Sequence, residues 1–283
     1  MSARLLPLPG GRGIALDGCA VVMGVVNVTP DSFWADSRVG DSAAAIDVVS
    51  AMVAAGAAII DVGGESTRPG AGYVGAEEEA ARVVPVIEAI RSRWGVAISV
   101  DTRKASVAAA ALDAGADIVN DIAALGDDEA LGLLCAARGV PVVLMHKRGI
   151  PANMQAAPEY ADCVAEVRDF LVAAAGRAIA MGIAPDRIVI DPGIGFGKRL
   201  EDNIALLSRL DELAATGYPV LVGLSRKSFI GMITGAAPAD RLPGSLAAAC
   251  AARSRGAVIF RVHDVAETVA ALAVFDASTG AMS

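Results

Sequence analysis

The stretch IVIDPGIGFGK, residues 188–198, joins a run of three β-branched residues to an aspartate and a glycine-rich segment. Two phosphate-binding motifs fail to account for it. A P-loop requires a glycine where Pro192 stands and a serine or threonine where Arg199 stands, and the dinucleotide-binding fingerprint requires a glycine where Lys198 stands. The apolar run that ends in a polar residue therefore needs another explanation, which the rest of the chain supplies.

The same pattern of a short apolar run that stops at a polar residue occurs eight times. The runs end at or around Asn27, Asp61, Asp101, Asn120 with Asp121, His146, Asp191, Ser225 and Arg261. Continuous apolar runs of this kind are typical of parallel strands that are buried on both faces. Helical patterns lie between them: DSAAAIDVVSAMVAAGA, EEEAARVVPVIEAIRSRW, ASVAAAALDAG, DDEALGLLCAARG, the long segment 159–182, EDNIALLSRLDELAATG, PGSLAAACAARSRG and DVAETVAALAVFDA.

Eight alternating strand and helix pairs in about 260 of the 283 residues predict the α/β class and a closed (β/α)8 TIM barrel. We expect a single domain over residues 1–283, because barrels of this size commonly form one domain. An open doubly wound sheet is the alternative. Before the first strand, RGIALDGCAV places an Asp-Gly pair between two short apolar runs, which predicts an N-terminal hairpin that closes the barrel bottom.

Composition narrows the classes of partner. The chain is 54% hydrophobic and only 4% aromatic, which suits helices packed on aliphatic strands. Its formal net charge of −8 disfavours nucleic acid and anionic membrane surfaces, since both attract basic faces. An anionic ligand must therefore meet locally placed positive groups.

Cysteine and histidine content limits metal chemistry and location. The four cysteines lie far apart without CxxC spacing, and with two histidines they offer too few ligands for a zinc site. No apolar run approaches the roughly 20 residues of a membrane span, and MSARLLPLPGGRG lacks the apolar core of a signal peptide. We expect a soluble, cytoplasmic protein with reduced cysteines.

Polar strand ends should meet at one mouth, because the active site of such a barrel lies at the carboxyl ends of its strands. This places the following residues around one opening: Asn27, Asp101, Asn120, His146, Asp191, Ser225, Lys227, Arg261 and His263. Asp101, Asn120, Asp191 and Lys227 together suit a flat heterocycle with several N–H donors and a carbonyl. Alternatively, the two aspartates cap helices or pair with the lysine to hold the rim.

A second group of residues suits an anionic ligand. Arg68, Arg261 and His263, with Asn27, could hold a diphosphate, because the arginine fork matches phosphate oxygens. Arg68 lies in the glycine- and proline-rich segment GGESTRPGAGY, where a solvated arginine is the alternative.

Other residues near the strand ends are expected to bind a second ligand or to support the site. In SRKSFIG, Ser225, Lys227 and Ser228 could bind a second ligand's carboxylate or the heterocycle's carbonyl, while the following Phe and Ile are expected to pack. We expect His146 and Asp121 to have supporting roles.

Taken in order, eight motifs resemble those of dihydropteroate synthase: NVTPDSF, DVGGESTRPGA, SVDTRK, VNDI, LMHKRG, DPGIGFGK, GLSRKSFIG and RVHDV. The resemblance runs from about Met23 to Val265. It implies a (β/α)8 barrel that forms a homodimer and acts as a transferase in folate biosynthesis. The implied reaction joins p-aminobenzoate to 6-hydroxymethyl-7,8-dihydropterin diphosphate and releases pyrophosphate, and the implied protein is a sulfonamide target.

The resemblance also implies roles for individual residues. It assigns the pterin to Asp101, Asn120, Asp191 and Lys227, the diphosphate to Asn27, Arg68, Arg261 and His263, and p-aminobenzoate to Thr67, Pro69, Phe196, Lys227 and Ser228. Asn27 would help to bind Mg²⁺. Catalysis would be electrostatic. Arg68, Arg261 and His263 would stabilise the departing charge together with Mg²⁺, and Asp101 would stabilise the positive charge that develops on the pterin. Lys227, which binds the pterin, would be the fifth catalytic residue. No covalent enzyme intermediate is implied.

The first loop departs from the family pattern. Where the family reads SFSDGG, this chain reads SFWADSR, so that Ala35 stands in place of the aspartate and both glycines are lost. The loss of glycine should stiffen a loop that must open and close. Our hypothesis is that Asp36 replaces the displaced carboxylate and contributes to the metal site.

Three alternative functions follow from these motifs. A pterin-binding paralogue would keep the pocket and lose turnover through the altered loop. A methyltransferase with a corrinoid partner is disfavoured by SRKS and by the arginines suited to diphosphate. A scaffolding protein is disfavoured because polar residues at eight strand ends would be desolvated without purpose.

Overall fold

A computed structural model describes residues 4–28, 40–66, 72–149 and 158–280. Its strands are β1 (Leu5–Pro7), β2 (Gly13–Ala15), β3 (Val21–Asn27), β4 (Ile59–Gly63), β5 (Ala97–Asp101), β6 (Ile118–Asp121), β7 (Val142–Met145), β8 (Ile188–Asp191), β9 (Val220–Gly223) and β10 (Ala257–Val262). Its helices are α1 (Gly40–Ala54), α2 (Ala76–Arg91), α3 (Ala105–Asp113), α4 (Glu129–Arg138), α5 (Cys163–Ala180), α6 (Leu200–Ser208), α7 (Asp211–Ala214), α8 (Ser228–Thr234), α9 (Leu242–Arg253) and α10 (Val265–Thr279).

Strands β3 to β10 form a closed barrel. Each strand pairs in parallel with its successor in the chain, and β10 returns to pair with β3. The (β/α)8 prediction is therefore confirmed, and the open-sheet alternative is wrong. None of the helices in the described part of the chain has the length and apolarity needed to cross a bilayer.

Two apolar cores lie on opposite faces of the barrel wall. The larger core fills the space between the strands and the surrounding helices. The smaller core fills the lower interior and contains, among others, Met23, Ile59, Ala97, Ile118, Val189, Leu221 and Ile259. Because side chains alternate along a strand, the inward residues two positions further along reach the upper interior. On β4 this residue is Asp61, and on β10 it is Arg261.

The N-terminal hairpin closes the lower end of the barrel, as predicted, although its turn lies elsewhere. β1 and β2 pair antiparallel, and Leu6, Leu8 and Leu16 from this region join the lower interior core. The reversal occurs at the short 3₁₀ turn Pro9–Gly11 rather than at the Asp-Gly pair. Both glycines of that turn adopt positive φ, 72° and 74°, which glycine permits without strain.

Most helices match their predicted segments, with differences at the ends. Acidic residues fill the first turn of α2 and Arg91 its last turn, as the helix dipole favours. α5 begins only at Cys163, because the side chain of Asp162 accepts hydrogen bonds from the backbone of the first turn. The segment EDNIALLSRLDELAATG is divided into α6 and α7, and the seven-residue α8 was not predicted.

Candidate active site

A pocket opens at the carboxyl ends of the barrel strands, where the polar strand ends were predicted to meet. It is lined by Val25, Asp101, Asn120, Ile122, Met145, Asp191, Gly193, Ile194, Phe196, Gly223, Ser225, Lys227, Arg261 and His263. These residues come from seven of the eight barrel strands or the loops that follow them. All four residues predicted to bind the heterocycle therefore share one pocket.

Arg261 forms two ion pairs across the barrel. Its Nε donates to Asp61 Oδ2 and its Nη2 donates to Asp101 Oδ2, each over 2.6 Å. Asp61 is fully buried, whereas about a fifth of the Arg261 side chain is exposed to the pocket. The guanidinium therefore keeps further N–H donors for a ligand while two carboxylates fix its plane.

The charges and the burial of this cluster bring the pKa of Asp101 close to neutral pH. Burial raises the pKa of Asp101 to about 7; the positive charge of Arg261 opposes this effect, and the negative charge of Asp61 adds to it. A carboxyl group with such a pKa changes charge within the physiological range. Perturbed pKa values of this kind are common at functional sites.

Asn120 and Asp191 complete the acceptor side of the pocket. Asn120 Nδ2 donates to Asp61 Oδ2 over 3.2 Å, so its amide oxygen is left for a ligand. Asp191 ends β8, and its Oδ1 accepts from the backbone N–H of Gly193 over 2.7 Å. Burial raises the pKa of Asp191, an effect that this hydrogen bond opposes.

The glycines of residues 188–198 allow the loop after β8 to pack closely against the loop after β7. Gly193 has φ +64°, and a Cβ there would lie 2.0 Å from the carbonyl oxygen of His146. At Gly197, with φ +63°, a Cβ would lie 2.2 Å from the carbonyl oxygen of Arg148. The glycine-rich segment thus serves close backbone packing, which brings Phe196 to the pocket.

Lys227 supplies a positive charge beside an aromatic ring. Its Nζ lies 4.1 Å from the centroid of Phe196, a cation–π contact. Burial lowers the pKa of Lys227 to about 8, while the carboxylates of Asp191 and Asp101 oppose the shift. Both residues line the pocket next to the acceptor groups.

Lys198 lies behind the pocket and ties the two loops together. Its Nζ donates to the carbonyl oxygens of Gly193, over 2.9 Å, and Phe196, over 3.1 Å, and lies 2.9 Å from His146 Nδ1. Burial lowers the pKa of Lys198 to about 7 and that of His146 to about 3, so the imidazole is neutral and accepts from the lysine. This contact agrees with the supporting role expected of His146.

Asp121 also has the expected supporting role. Its carboxylate accepts from the backbone N–H groups of Ala123 and Leu125, over 2.8 and 2.6 Å, and shapes the turn after β6. Burial raises the pKa of Asp121 to about 6. The neighbouring Asn120 therefore faces the pocket while Asp121 holds the loop.

Three further predicted residues, His263, Asn27 and Ser228, lie around the rim. His263 is exposed, and its Nδ1 lies 3.2 Å from Ser225 Oγ. Asn27 ends β3 in register with Gly63, near Asp101. Ser228 is the exposed first residue of α8 and does not line the pocket. Four predicted residues lie outside the described part of the chain: Asp36, Thr67, Arg68 and Pro69.

Two residues at the site received no role from the sequence alone. Asp61 was assigned to a strand end, but it lies two residues before the end of β4 and contacts both Arg261 and Asn120. The available signal was a charged residue inside the β-branched run AIIDVGG. Lys198 was seen only as the end of a glycine motif, and its buried contacts depend on how two loops pack.

A magnesium site at this mouth would need few protein ligands. The described residues contain no group of three or more His, Cys, Asp and Glu side chains that could hold a metal. Mg²⁺ at phosphate sites is commonly bound by one or two protein oxygens together with phosphate oxygens. The amide oxygen of Asn27 at the rim fits such a partial site, whereas a metal held by the protein alone does not fit the described residues.

Comparison with known proteins identifies the family. The model of the pterin binding enzyme family matches residues 23–263. Dihydropteroate synthase of Escherichia coli strain K12 is 49% identical over 260 residues, which cover 92% of each chain. The chain belongs to the dihydropteroate synthase family. A relative of the same name from Neisseria meningitidis serogroup C is 51% identical over 260 residues, covering 90% of this chain and 92% of the relative.

Solved structures of dihydropteroate synthases share the fold. The enzyme of Xanthomonas albilineans with 4-aminobenzoic acid aligns with a TM-score of 0.91 and 46% identity, covering 98% of this chain and 99% of that one. The Yersinia pestis enzyme, in complex with a sulfonamide drug, aligns with a TM-score of 0.91 and 43% identity over the same shares. The family resemblance and the fold predicted from the motifs are both confirmed.

Proposed function

We propose that this protein is a dihydropteroate synthase. It joins p-aminobenzoate to 6-hydroxymethyl-7,8-dihydropterin diphosphate, releases pyrophosphate and forms 7,8-dihydropteroate. The observation that carries the proposal is the convergence of Asp101, Asn120, Asp191, Lys227 and Arg261 on one pocket. Relatives with this name and about half of their residues in common support the same reaction.

The pocket suits the pterin ring. The carboxylates of Asp101 and Asp191 and the amide oxygen of Asn120 accept hydrogen bonds from the N–H groups of the ring and its amino substituent. Lys227 donates to the ring carbonyl. This arrangement places acceptors against the donor-rich edge of the heterocycle and a cation against its oxygen.

The diphosphate lies at the rim above Arg261. The guanidinium uses two of its nitrogens for Asp61 and Asp101, and its remaining N–H groups bind phosphate oxygens. His263 follows β10 and Asn27 ends β3, the neighbouring strand, and we assign both to the diphosphate together with Arg68, as the family resemblance implies. Asn27, and Asp36 from the first loop, would hold Mg²⁺, which on binding neutralises charge on the diphosphate.

The reaction is electrostatically catalysed. The bond between the pterin methylene carbon and the diphosphate oxygen breaks, and the electron pair leaves with pyrophosphate, whose charge Arg261, His263 and Arg68 stabilise. Positive charge on the pterin is stabilised by the Asp101 carboxylate. The amine nitrogen of p-aminobenzoate then forms the new C–N bond and loses a proton.

The second substrate lies beside the first. Phe196 offers its ring to the ring of p-aminobenzoate, and Lys227 and Ser228 offer donors for its carboxylate. We assign Thr67 and Pro69 to the same substrate, as the family resemblance implies. The Yersinia pestis relative forms a complex with a sulfonamide drug, which supports the proposal that this protein is a sulfonamide target.

We also propose that the protein is a cytoplasmic homodimer. The helix α9 is rich in small residues, of which Ser245, Ala249 and Ala252 are buried within the chain. Its other side would pack against a second subunit. Light scattering of the purified protein tests the dimer, since a monomer mass at micromolar concentration would contradict it.

The decisive experiment is a pyrophosphate-release assay with both substrates, with and without Mg²⁺. We expect turnover that requires both substrates, and loss of at least about 100-fold on Lys227→Met, because the variant removes a charge next to the reacting groups. Lys147→Met is the matched control, since Lys147 pairs with Asp127 at the rim and does not line the pocket.

Two other outcomes would contradict the proposal. Tight pterin binding without pyrophosphate release would indicate a pterin-binding paralogue. Methyl transfer from methyltetrahydrofolate would indicate a methyltransferase.

A further inference from the structure

We propose that Asp61 is a positioning residue, which holds Arg261 and Asn120 in place from beneath the pocket. This inference rests on the proposed function, because Arg261 is there assigned to the diphosphate and Asn120 to the pterin. Asp61 itself does not line the pocket and is fully buried. It therefore acts through its two partners and not on the substrates.

A single oxygen of Asp61 links two substrate-binding residues. Its Oδ2 accepts from Arg261 Nε over 2.6 Å and from Asn120 Nδ2 over 3.2 Å. Arg261 lies on β10 and Asn120 on β6, on either side of β4 in the barrel. The carboxylate thus joins the diphosphate side of the mouth to the pterin side.

The charge on Asp61 fixes the plane of the guanidinium. A guanidinium bonded only to Asp101 could rotate about that contact, whereas carboxylates at both Nε and Nη2 hold it in one orientation. The second carboxylate also prevents Arg261 from being committed to Asp101 alone. Arg261 is thereby shared between the two carboxylates, and its orientation toward the mouth does not depend on Asp101 alone.

The same charge sets the orientation of Asn120. An ionised carboxylate can only accept hydrogen bonds, so the amide nitrogen of Asn120 must face Asp61. The amide oxygen is then the group left for the pterin, where it adds an acceptor to those of Asp101 and Asp191. A neutral residue at position 61 would allow the amide to turn over and present a donor.

Stability alone does not explain a carboxylate at this position. Asp61 Oδ1 is buried and has no hydrogen-bond partner among the described residues. Buried ion pairs are often no more stabilising than apolar side chains of similar volume. An aspartate at this depth, surrounded by substrate-binding residues, is therefore best explained by its effect on them.

Asp61→Asn tests the inference, with Asp276→Asn as the matched control. Asp276 is also buried, pairs with Arg253 over 2.7 Å and accepts from the backbone of Ala20 over 2.9 Å, but it lies on α10 outside the pocket. We expect Asp61→Asn to lower kcat about 100-fold and to change KM for p-aminobenzoate by less than about threefold. The control should keep wild-type kinetics at temperatures below its melting point.

The pH profile is a readout that a purely structural role would not change. The charged groups that face Asp101 are Arg261, Asp61, Glu79, Asp121 and Lys227. Asp61→Asn removes a neighbouring negative charge, so the pKa of Asp101 falls and the acidic limb of kcat/KM moves to lower pH. Asp276→Asn should leave this limb unchanged.

The outcomes separate the inference from the proposed function. If the wild type shows no turnover, the proposed function fails. Calorimetry of pterin binding then tests the role of Asp61 separately. Asp61→Asn should weaken the affinity for the pterin more than Asp276→Asn does. If the wild type turns over and both variants show the same kinetics, pH profile and pterin affinity, Asp61 is only structural and the inference is wrong.

Discussion

At the scale of single residues, burial moves two groups of opposite charge toward the same pH. Burial disfavours the charged form of each group, so it raises the pKa of the Asp101 carboxyl to about 7 and lowers the pKa of the Lys227 ammonium to about 8. Both charges are needed by the proposed reaction. The site therefore has its working charge state in a narrow interval around neutral pH.

This arrangement predicts a bell-shaped pH dependence. Turnover should fall below about pH 7, where Asp101 gains a proton and loses its negative charge, and above about pH 8, where Lys227 loses its positive charge. The measurement is kcat/KM from pH 5.5 to 9.5, a range chosen to extend beyond both pKa values. A profile that stays level between pH 6 and pH 9 would contradict the assignment.

At the scale of elements, the strands were predictable and the connections were not. A buried parallel strand needs a continuous apolar run, so all eight barrel strands left a clear pattern in the sequence. The hairpin turn was misplaced because Pro9–Gly11 and the Asp-Gly pair both have turn composition. The contacts of Lys198 could not be predicted either, since they depend on two loops that meet only in the folded barrel.

Removal of the Lys198 ammonium should weaken the pairing of these loops. In Lys198→Met the buried carbonyl oxygens of Gly193 and Phe196 lose their donor, and we expect a loss of about 3 kcal/mol in the free energy of unfolding. KM for p-aminobenzoate should rise as well, because the loop carries Phe196. Urea unfolding and steady-state kinetics measure the two effects, with Lys147→Met as the control. Equal stability of the two variants would refute the role of Lys198.

At the scale of the whole molecule, ring closure decides which residues meet. Arg261 and Asp61 are 200 positions apart in the sequence, yet they pair because β10 returns to β3, the neighbour of β4. The sequence identified most of the polar residues at the mouth, because each lies near the end of a strand or in the loop that follows it. It could not show which of them pair across the opening, since that depends on side-chain directions in the closed ring.

The two ends of the barrel should respond differently to substitution. Leu6 of the hairpin is 1% exposed in the lower interior, and Leu6→Ala should cost about 3 kcal/mol of stability while kcat of the folded protein is unchanged. The neighbouring Leu5 is 48% exposed and supplies the control, since Leu5→Ala should cost under about 1 kcal/mol. Thermal unfolding and kinetics at 25 °C check both. A fall in kcat for Leu6→Ala would show that the hairpin influences the mouth.

The pairing of the last barrel strand with the first also bears on biosynthesis. As the chain leaves the ribosome, β3 carries an unpaired edge until residues 257–262 have been made. Unpaired strand edges promote association between nascent chains, so the protein passes through an aggregation-prone interval that ends only when β10 can pair with β3. Chaperone binding to partly synthesised chains should therefore cease abruptly once β10 has emerged from the exit tunnel.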